Sequence, residues 1–326
     1  MGDASMTRGE TGTGQRRRWR DPGLPGVLAL CGVAVLIHII PLLLPRNMPE
    51  QELAIARATP DPAHRVRFLL PLKNNEKSTP ANLREAAELL LSGAPAEAHE
   101  LVEEADRRHP EDMETLLLMA RVCDVERMER CVQQSLERAE KAAPTDPRPQ
   151  LLRADLREQN GDVEGATQAL QRAHAQAPTD TFLALRYGRL LSRTGKPEEA
   201  MAVFRAMEGK LTHARLLVEQ GLVRAKEGRD RDAVKLLQEA VQSDPKLAEG
   251  HFELGLAWFR LGNEIAAEDA LRQADRLDVS NQEPLATLCA LQLKTGQIEA
   301  ARTSRMDLER RFPQRMDAIR ERCTLP

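Results

Sequence analysis

The sequence predicts an all-α solenoid, a run of helix hairpins in which each packs mainly on its neighbours. Three observations lead there. A column of small residues, Ala86, Ala120, Ala154, Gly188, Gly221, Gly255 and Cys289, recurs every 34 positions with a single 33-residue step. A second column, Ala98, Val132, Ala166, Ala200, Ala233, Ala267 and Ala301, follows it in phase. Between the two stand Gly93, Arg127, Gly161, Gly195, Gly228, Gly262 and Gly296, mostly the residue type that accepts a left-handed conformation and so ends a helix. Each unit therefore reads helix, turn, helix.

Taken in order, residues 1–21 form a basic tail with Arg16, Arg17, Arg18 and Arg20. Residues 22–45 carry no Asp, Glu, Lys or Arg, and Gly26 to Leu44 is nearly all apolar. At about 1.5 Å per residue this stretch spans a bilayer core of roughly 30 Å, so it is read as one transmembrane helix. A cleaved signal peptide has a shorter apolar region with a small-residue site close behind it. Here the candidate Ala54-Ile55-Ala56 lies beyond Arg46, Glu50 and Glu52. The arginines before the span place the N-terminus in the cytoplasm, and the repeats then lie across the membrane. Ala- and Arg-rich, Lys-poor usage favours a bacterial source, which makes that membrane the inner membrane and that compartment the periplasm. Residues 46–78, with Pro49, Pro60, Pro62 and Pro71, read as a linker too proline-broken for a long helix. Its apolar run Val66 to Leu70 is placed to dock on the first repeat.

Seven units start at 79, 113, 147, 181, 214, 248 and 282 and cover 79–313. Small residues recur because a larger side chain at a close helix crossing would push the backbones apart. Val102, Leu136, Leu170, Phe204, Leu237 and Leu271 fill the remaining space from the second helices. Proline at 110, 144, 178, 245 and 313 stops five of those helices. Residues 314–326 are read as a capping helix. Polar residues at Arg157, Arg224 and Gln292, where other units offer Leu191 or Trp258, predict looser hairpins in the third, fifth and seventh units.

At this point the chain resembles the tetratricopeptide repeat family, whose unit is a 34-residue helix-turn-helix with Leu-Gly, a following aromatic, Ala-x3-Phe and Pro. The sixth unit carries Leu254-Gly255, Trp258, Ala267 and Leu271, and the fourth carries Tyr187-Gly188 and Ala200-x3-Phe204. The resemblance implies a right-handed solenoid and an interaction surface. It also implies a membrane-anchored periplasmic layout like that of some repeat proteins of bacterial envelopes. The basic carboxylate clamp by which some members hold heat-shock chaperones has no counterpart at Leu83 and Ala87.

No Gly-rich phosphate loop, HExxH, GxSxG or CxxC occurs, so no catalytic, cofactor-binding or metal-ligating residue is assigned and no enzyme is expected. A net charge of −3 and a pI near 6.2 speak against nucleic acid as a partner. The chemistry expected is binding in the groove lined by the first helix of each hairpin. That face starts apolar at Leu83, Ala87, Leu90 and Leu91, becomes charged through Arg121, Asp124, Asp155, Arg189 and Arg193, and turns apolar again. Val218, Leu222, Phe252, Leu256 and Phe259, with Lys226 and Arg260 nearby, suit a peptide with apolar anchors and an acidic group. Cys123 and Cys131 flank one short turn, so their sulfurs can meet in a disulfide that only an oxidising compartment keeps. Cys289 and Cys323 hold the same frame position in successive units and are expected to lie too far apart. The reading is a non-catalytic scaffold or adaptor for other proteins or peptides of the cell envelope. The alternative is a chaperone-like holder of translocated substrates or of apocytochrome.

Overall fold

A computed structural model describes residues 48–315 together with residues 317, 321, 323 and 324. The tail 1–21 and the expected transmembrane segment 22–45 lie outside the described residues. Among those described, no helix is long and apolar enough to cross a membrane. They form sixteen α-helices, and the extended pairing they contain is an isolated bridge between Glu208 and Leu211. The chain divides into two compact units at Glu104, inside the fourth helix.

The first unit holds α1 (Pro49–Ala58), α2 (Pro62–Leu69), a 3-10 turn (Leu70–Asn74), α3 (Pro80–Leu90) and most of α4 (Pro95–Arg108). The stretch read as a linker is thus largely helical. Its prolines do not break helices because Pro49 and Pro62 sit in first turns, where the missing N–H has no intrahelical partner to lose. Thr79 opens α3 with a capping box, its hydroxyl accepting from the Asn82 amide while Asn82 accepts from the Thr79 amide. Both α1 and α2 pack on α3. Arg57 Nε donates to Glu85 at 2.6 Å and Arg65 Nη1 to the Leu89 carbonyl at 3.1 Å. Gly93 is a correction to the turn column. It is absent from the left-handed glycines, and it is small because Pro62 lies against it, 2.3 Å from where a Cβ would stand.

The second unit contains six successive hairpins. They are α5 (Met113–Val125) with α6 (Glu129–Ala142), α7 (Arg148–Gln159) with α8 (Val163–Gln176), and α9 (Thr181–Arg193) with α10 (Pro197–Arg205). Then come α11 (His213–Lys226) with α12 (Asp230–Ser243), α13 (Ala248–Arg260) with α14 (Glu264–Leu277), and α15 (Glu283–Lys294) with α16 (Ile298–Arg311). Asp112, Asp180 and Thr212 cap α5, α9 and α11 by accepting backbone amides of the first turn. The short α10 ends at Arg205, before the left-handed Gly209, which is where the 33-residue step loses its residue.

The small columns are the floor of the helix crossings. Ala120, Ala154, Ala166, Ala200, Ala233, Ala267 and Ala301 are all fully buried. A Cβ on Gly188 would stand 2.5 Å from the Phe204 ring, and one on Gly255 would stand 2.8 Å from Leu271 Cγ. Each first helix of the second unit closes with the same bond. The amides of Met128, Asp162, Lys196, Arg229, Asn263 and Gln297 reach back to the carbonyls of Cys123, Arg157, Leu191, Arg224, Trp258 and Gln292 at 2.8–3.0 Å. The column that varies between Trp and Arg therefore contributes its backbone, whatever its side chain does.

That column also corrects the expectation of looser hairpins. Arg157 Nη1 donates to Asp162 at 2.9 Å and Arg224 Nη1 to Glu227 at 2.7 Å. Buried Gln292 accepts from Ser304 Oγ at 2.8 Å, across the hairpin. Polar pairs here fasten what an aromatic ring fastens elsewhere.

Cys123 and Cys131 are joined across the α5–α6 turn with Cα atoms 5.8 Å apart. Cys289 and Cys323 are also joined, Cα to Cα 5.8 Å, which corrects the expectation that they lie too far apart. Cys323 does not occupy the first helix of an eighth unit. It sits in a bend beside the Ala301 carbonyl, buried against the last hairpin. The capping helix expected over 314–326 falls mostly outside the described residues, which show a 3-10 turn at Pro313–Arg315.

Candidate partner-binding face

The first helices of three consecutive hairpins, α9, α11 and α13, pack side by side, and a charged network crosses them. Arg189 on α9 donates from Nε to Glu219 at 2.8 Å and from Nη2 to the other Glu219 oxygen at 2.5 Å. The same Nη2 reaches Glu249 on α13 at 2.9 Å. Arg215, one turn before Glu219 on α11, lies 3.2 Å from it and also pairs with Glu249. Glu219 is 0% exposed. A fully buried carboxylate persists only when its charge and lone pairs are satisfied, and the two-pronged fit of Arg189 does that. The Glu219 hydrogen bond raises the Arg189 pKa above its ordinary value, against the opposing effect of burial.

The other cations expected on this face are committed in the same way. Arg193 donates to Glu158 at 3.1 Å, a carboxylate it shares with Arg186 at 2.7 Å, and Arg260 Nε donates to Asp230 at 2.6 Å. Lys226 is exposed. The face therefore does not present free positive charge at Arg189, Arg193 or Arg260 for an acidic group, because neighbouring hairpins supply the carboxylates.

The apolar residues also differ from expectation. Val218 is fully buried in the core shared by α11 to α14 and is no surface residue. Leu222 is half-buried against that core. Phe252 and Phe259 are half-buried against the cluster around Leu285 and Leu288, with the Lys294 ammonium 4.5 Å from the Phe259 ring centre. Leu256 is half-buried. In the first unit Leu83, Ala87 and Leu90 are fully buried and Leu91 is half-buried, so most of the expected apolar start of the groove is not open surface.

Glu253, on α13 one turn beyond Glu249, went unremarked in the sequence. Burial first, and the Glu249 charge second, push its pKa up to about 7, with Arg260 and Arg189 opposing. Arg215, Glu219 and Glu249 were likewise missed, because none forms a motif with sequence neighbours. The signal that finds them is register, an acid in one unit standing opposite a base in the unit before.

Two tetratricopeptide repeat models match the sequence, at residues 157–221 and 218–280. No curated protein matches it in sequence. Among solved structures, a tetratricopeptide repeat protein from Parabacteroides merdae is similar at 15% identity and a TM-score of 0.54, over 75% of this chain and 97% of that one. Yeast Tom70 is similar at 14% identity and a TM-score of 0.53, over 84% of this chain and 64% of that one. PilW, described as a widely conserved type IV pilus biogenesis factor, aligns at 20% identity and a TM-score of 0.47, over 64% of this chain and 97% of that one. The similarity to the Parabacteroides merdae protein and to Tom70 establishes the helical repeat fold.

Proposed function

We propose, from tetratricopeptide hairpins as the premise, that this chain is a non-catalytic scaffold that holds a protein or peptide on the face of α9, α11 and α13. The observation that carries the reading is that face itself, where half-buried Leu222 and Leu256 flank a charged network locked in place before any partner arrives. Preorganised side chains lose little further freedom on binding. We further propose that residues 22–45 anchor the chain in a bacterial inner membrane with the repeats in the periplasm. The apolar stretch and its basic flank support the anchor. The two joined cysteine pairs support an oxidising compartment. The partners in this reading are other envelope proteins.

A photo-crosslinking residue placed at Leu222 or Leu256 in cells is expected to trap a partner that the same residue at Gln238, exposed on α12, does not. Crosslinks from Gln238 alone would overturn the assignment of the face. A reporter active only outside the cytoplasm, fused after Pro326, is expected to be active. Activity of a cytoplasmic reporter there instead would overturn the orientation.

A further inference from the structure

Glu219 and Glu253 occupy the same position in successive hairpins, 34 residues apart. Glu219 is held by Arg189, from the first helix of the hairpin before, and by Arg215, one turn earlier on its own helix. One repeat on, the residue corresponding to Arg189 is Leu222 and the residue corresponding to Arg215 is Glu249. Both cations have been replaced, one by an aliphatic side chain and one by a second carboxylate. Among the described residues the Glu253 side chain forms no hydrogen bond or ion pair, although it is half-buried.

The charges facing Glu253 can be counted. Arg189 on α9, Arg215 and Glu219 on α11, and Glu249 on α13 form the network, while Arg260 on α13 is held by Asp230 at the start of α12. Two guanidinium groups thus serve Glu219 and Glu249, and Glu253 is left over. An unpaired carboxylate in a partly desolvated place is costly, and it lowers that cost by taking a proton or by meeting a cation. Leu256, one turn beyond Glu253 on α13, and Leu222, at the frame position of the missing arginine, are half-buried aliphatic side chains. A cationic head on an aliphatic stem matches this combination, and a compact hydrated ion does not.

We propose that Glu253 is the specificity-determining residue of the face, accepting a Lys or Arg side chain of the bound protein segment while Leu222 and Leu256 cover its methylene stem. The partner supplies the charge that Arg189 and Arg215 supply to Glu219. This reverses the acidic partner expected from the arginines of the face, since those arginines are already paired. It rests on the scaffold reading, and it adds to it the chemistry of what is held. The tendency of Glu253 to hold a proton near neutral pH agrees with the geometry: ionisation accompanies arrival of the cation, and the preference fades in acid.

The test uses the full-length chain in detergent and libraries of acetylated octapeptides with one position fixed as Lys, Arg, Gln or Glu and the rest randomised. At pH 7.5 the Lys and Arg pools are expected to be retained about tenfold over the Gln pool, the size of one well-placed charge pair, ~1.4 kcal/mol. Glu253→Gln is expected to abolish that preference, so that the Lys and Arg pools are retained no better than the Gln pool. Leu222→Arg, which restores the missing internal partner, is expected to abolish it as well. Retention of all pools alike, or a Lys and Arg preference that survives either substitution, overturns the cation site and leaves the scaffold reading standing. Retention of no pool by folded protein overturns both.

Discussion

The hairpins α5–α6 and α13–α14 solve one problem in two ways. Both bring two helices into close crossing around a small residue and turn the chain sharply between them. In α13–α14, Gly255 lets Leu271 approach and Gly262 takes the left-handed turn at φ 76°. In α5–α6, Arg127 takes that conformation at φ 58°, and Cys123 is tied covalently to Cys131 across the turn. A non-glycine residue in the left-handed region costs about 1 kcal/mol, and a bridge over so short a loop stabilises by more than that. The frame dictates the shape, and side-chain chemistry is free to vary so long as the balance stays favourable. The two hairpins should accordingly answer to different conditions, one to redox and the other to pH.

The largest expected effect breaks the crossing of α13–α14. Gly255→Leu places atoms where Leu271 and the Ala267 carbonyl already stand, and it should cost about 3 kcal/mol in denaturant unfolding, with loss of protection in α13 and α14. A loss under about 1 kcal/mol would show that the crossing does not need a small residue. Next, Cys123→Ala with Cys131→Ala should destabilise the second unit by about 2.5 kcal/mol and make the α5–α6 turn more exchangeable in hydrogen-exchange measurements. Unchanged stability would mean that the bridge contributes nothing the non-covalent contacts do not.

The third sharpens the contrast by pH. Glu253 titrates near 7 in the folded chain and near 4.5 when unfolded, so the folded state holds its proton more tightly. Its own contribution to stability is then greatest below pH 4.5, declines as pH rises toward 7 and stays reduced above it. Glu253→Gln should leave stability at pH 4 nearly unchanged and raise it at pH 8 by on the order of 2 kcal/mol after solvent screening. A gain equal at both pH values would remove the titration from the explanation. The smallest effect is Arg127→Gly, which relieves the left-handed conformation and should stabilise α5–α6 by roughly 0.5 kcal/mol, part of the gain being offset by the greater freedom of glycine in the unfolded chain. If the variant is less stable than the parent, the Arg127 side chain contributes more than its backbone costs.

The periodic columns made the hairpins legible, because burial at a helix crossing leaves one residue type per turn of the repeat, and Ala98, Ala166 and Ala267 are fully buried for that reason. The candidate face was less legible. Arg189, Arg193 and Arg260 were visible as cations, but their carboxylates stand about thirty or more residues away, on other hairpins. Val218 reads as a surface residue from its position on α11, yet the adjoining hairpin covers it. Cys323 reads as a frame position, yet a bend carries it back to Cys289.

Local rules therefore determined what the sequence could announce by itself: where helices start and stop, which faces must be small, and that the unit repeats. Those properties depend on residues within one turn or one hairpin of each other. Tertiary structure alone decided which charges cancel. An ion pair between neighbouring hairpins depends on how their first helices align, and a single change of frame, Arg189 and Arg215 becoming Leu222 and Glu249, turns a satisfied carboxylate at Glu219 into an unsatisfied one at Glu253.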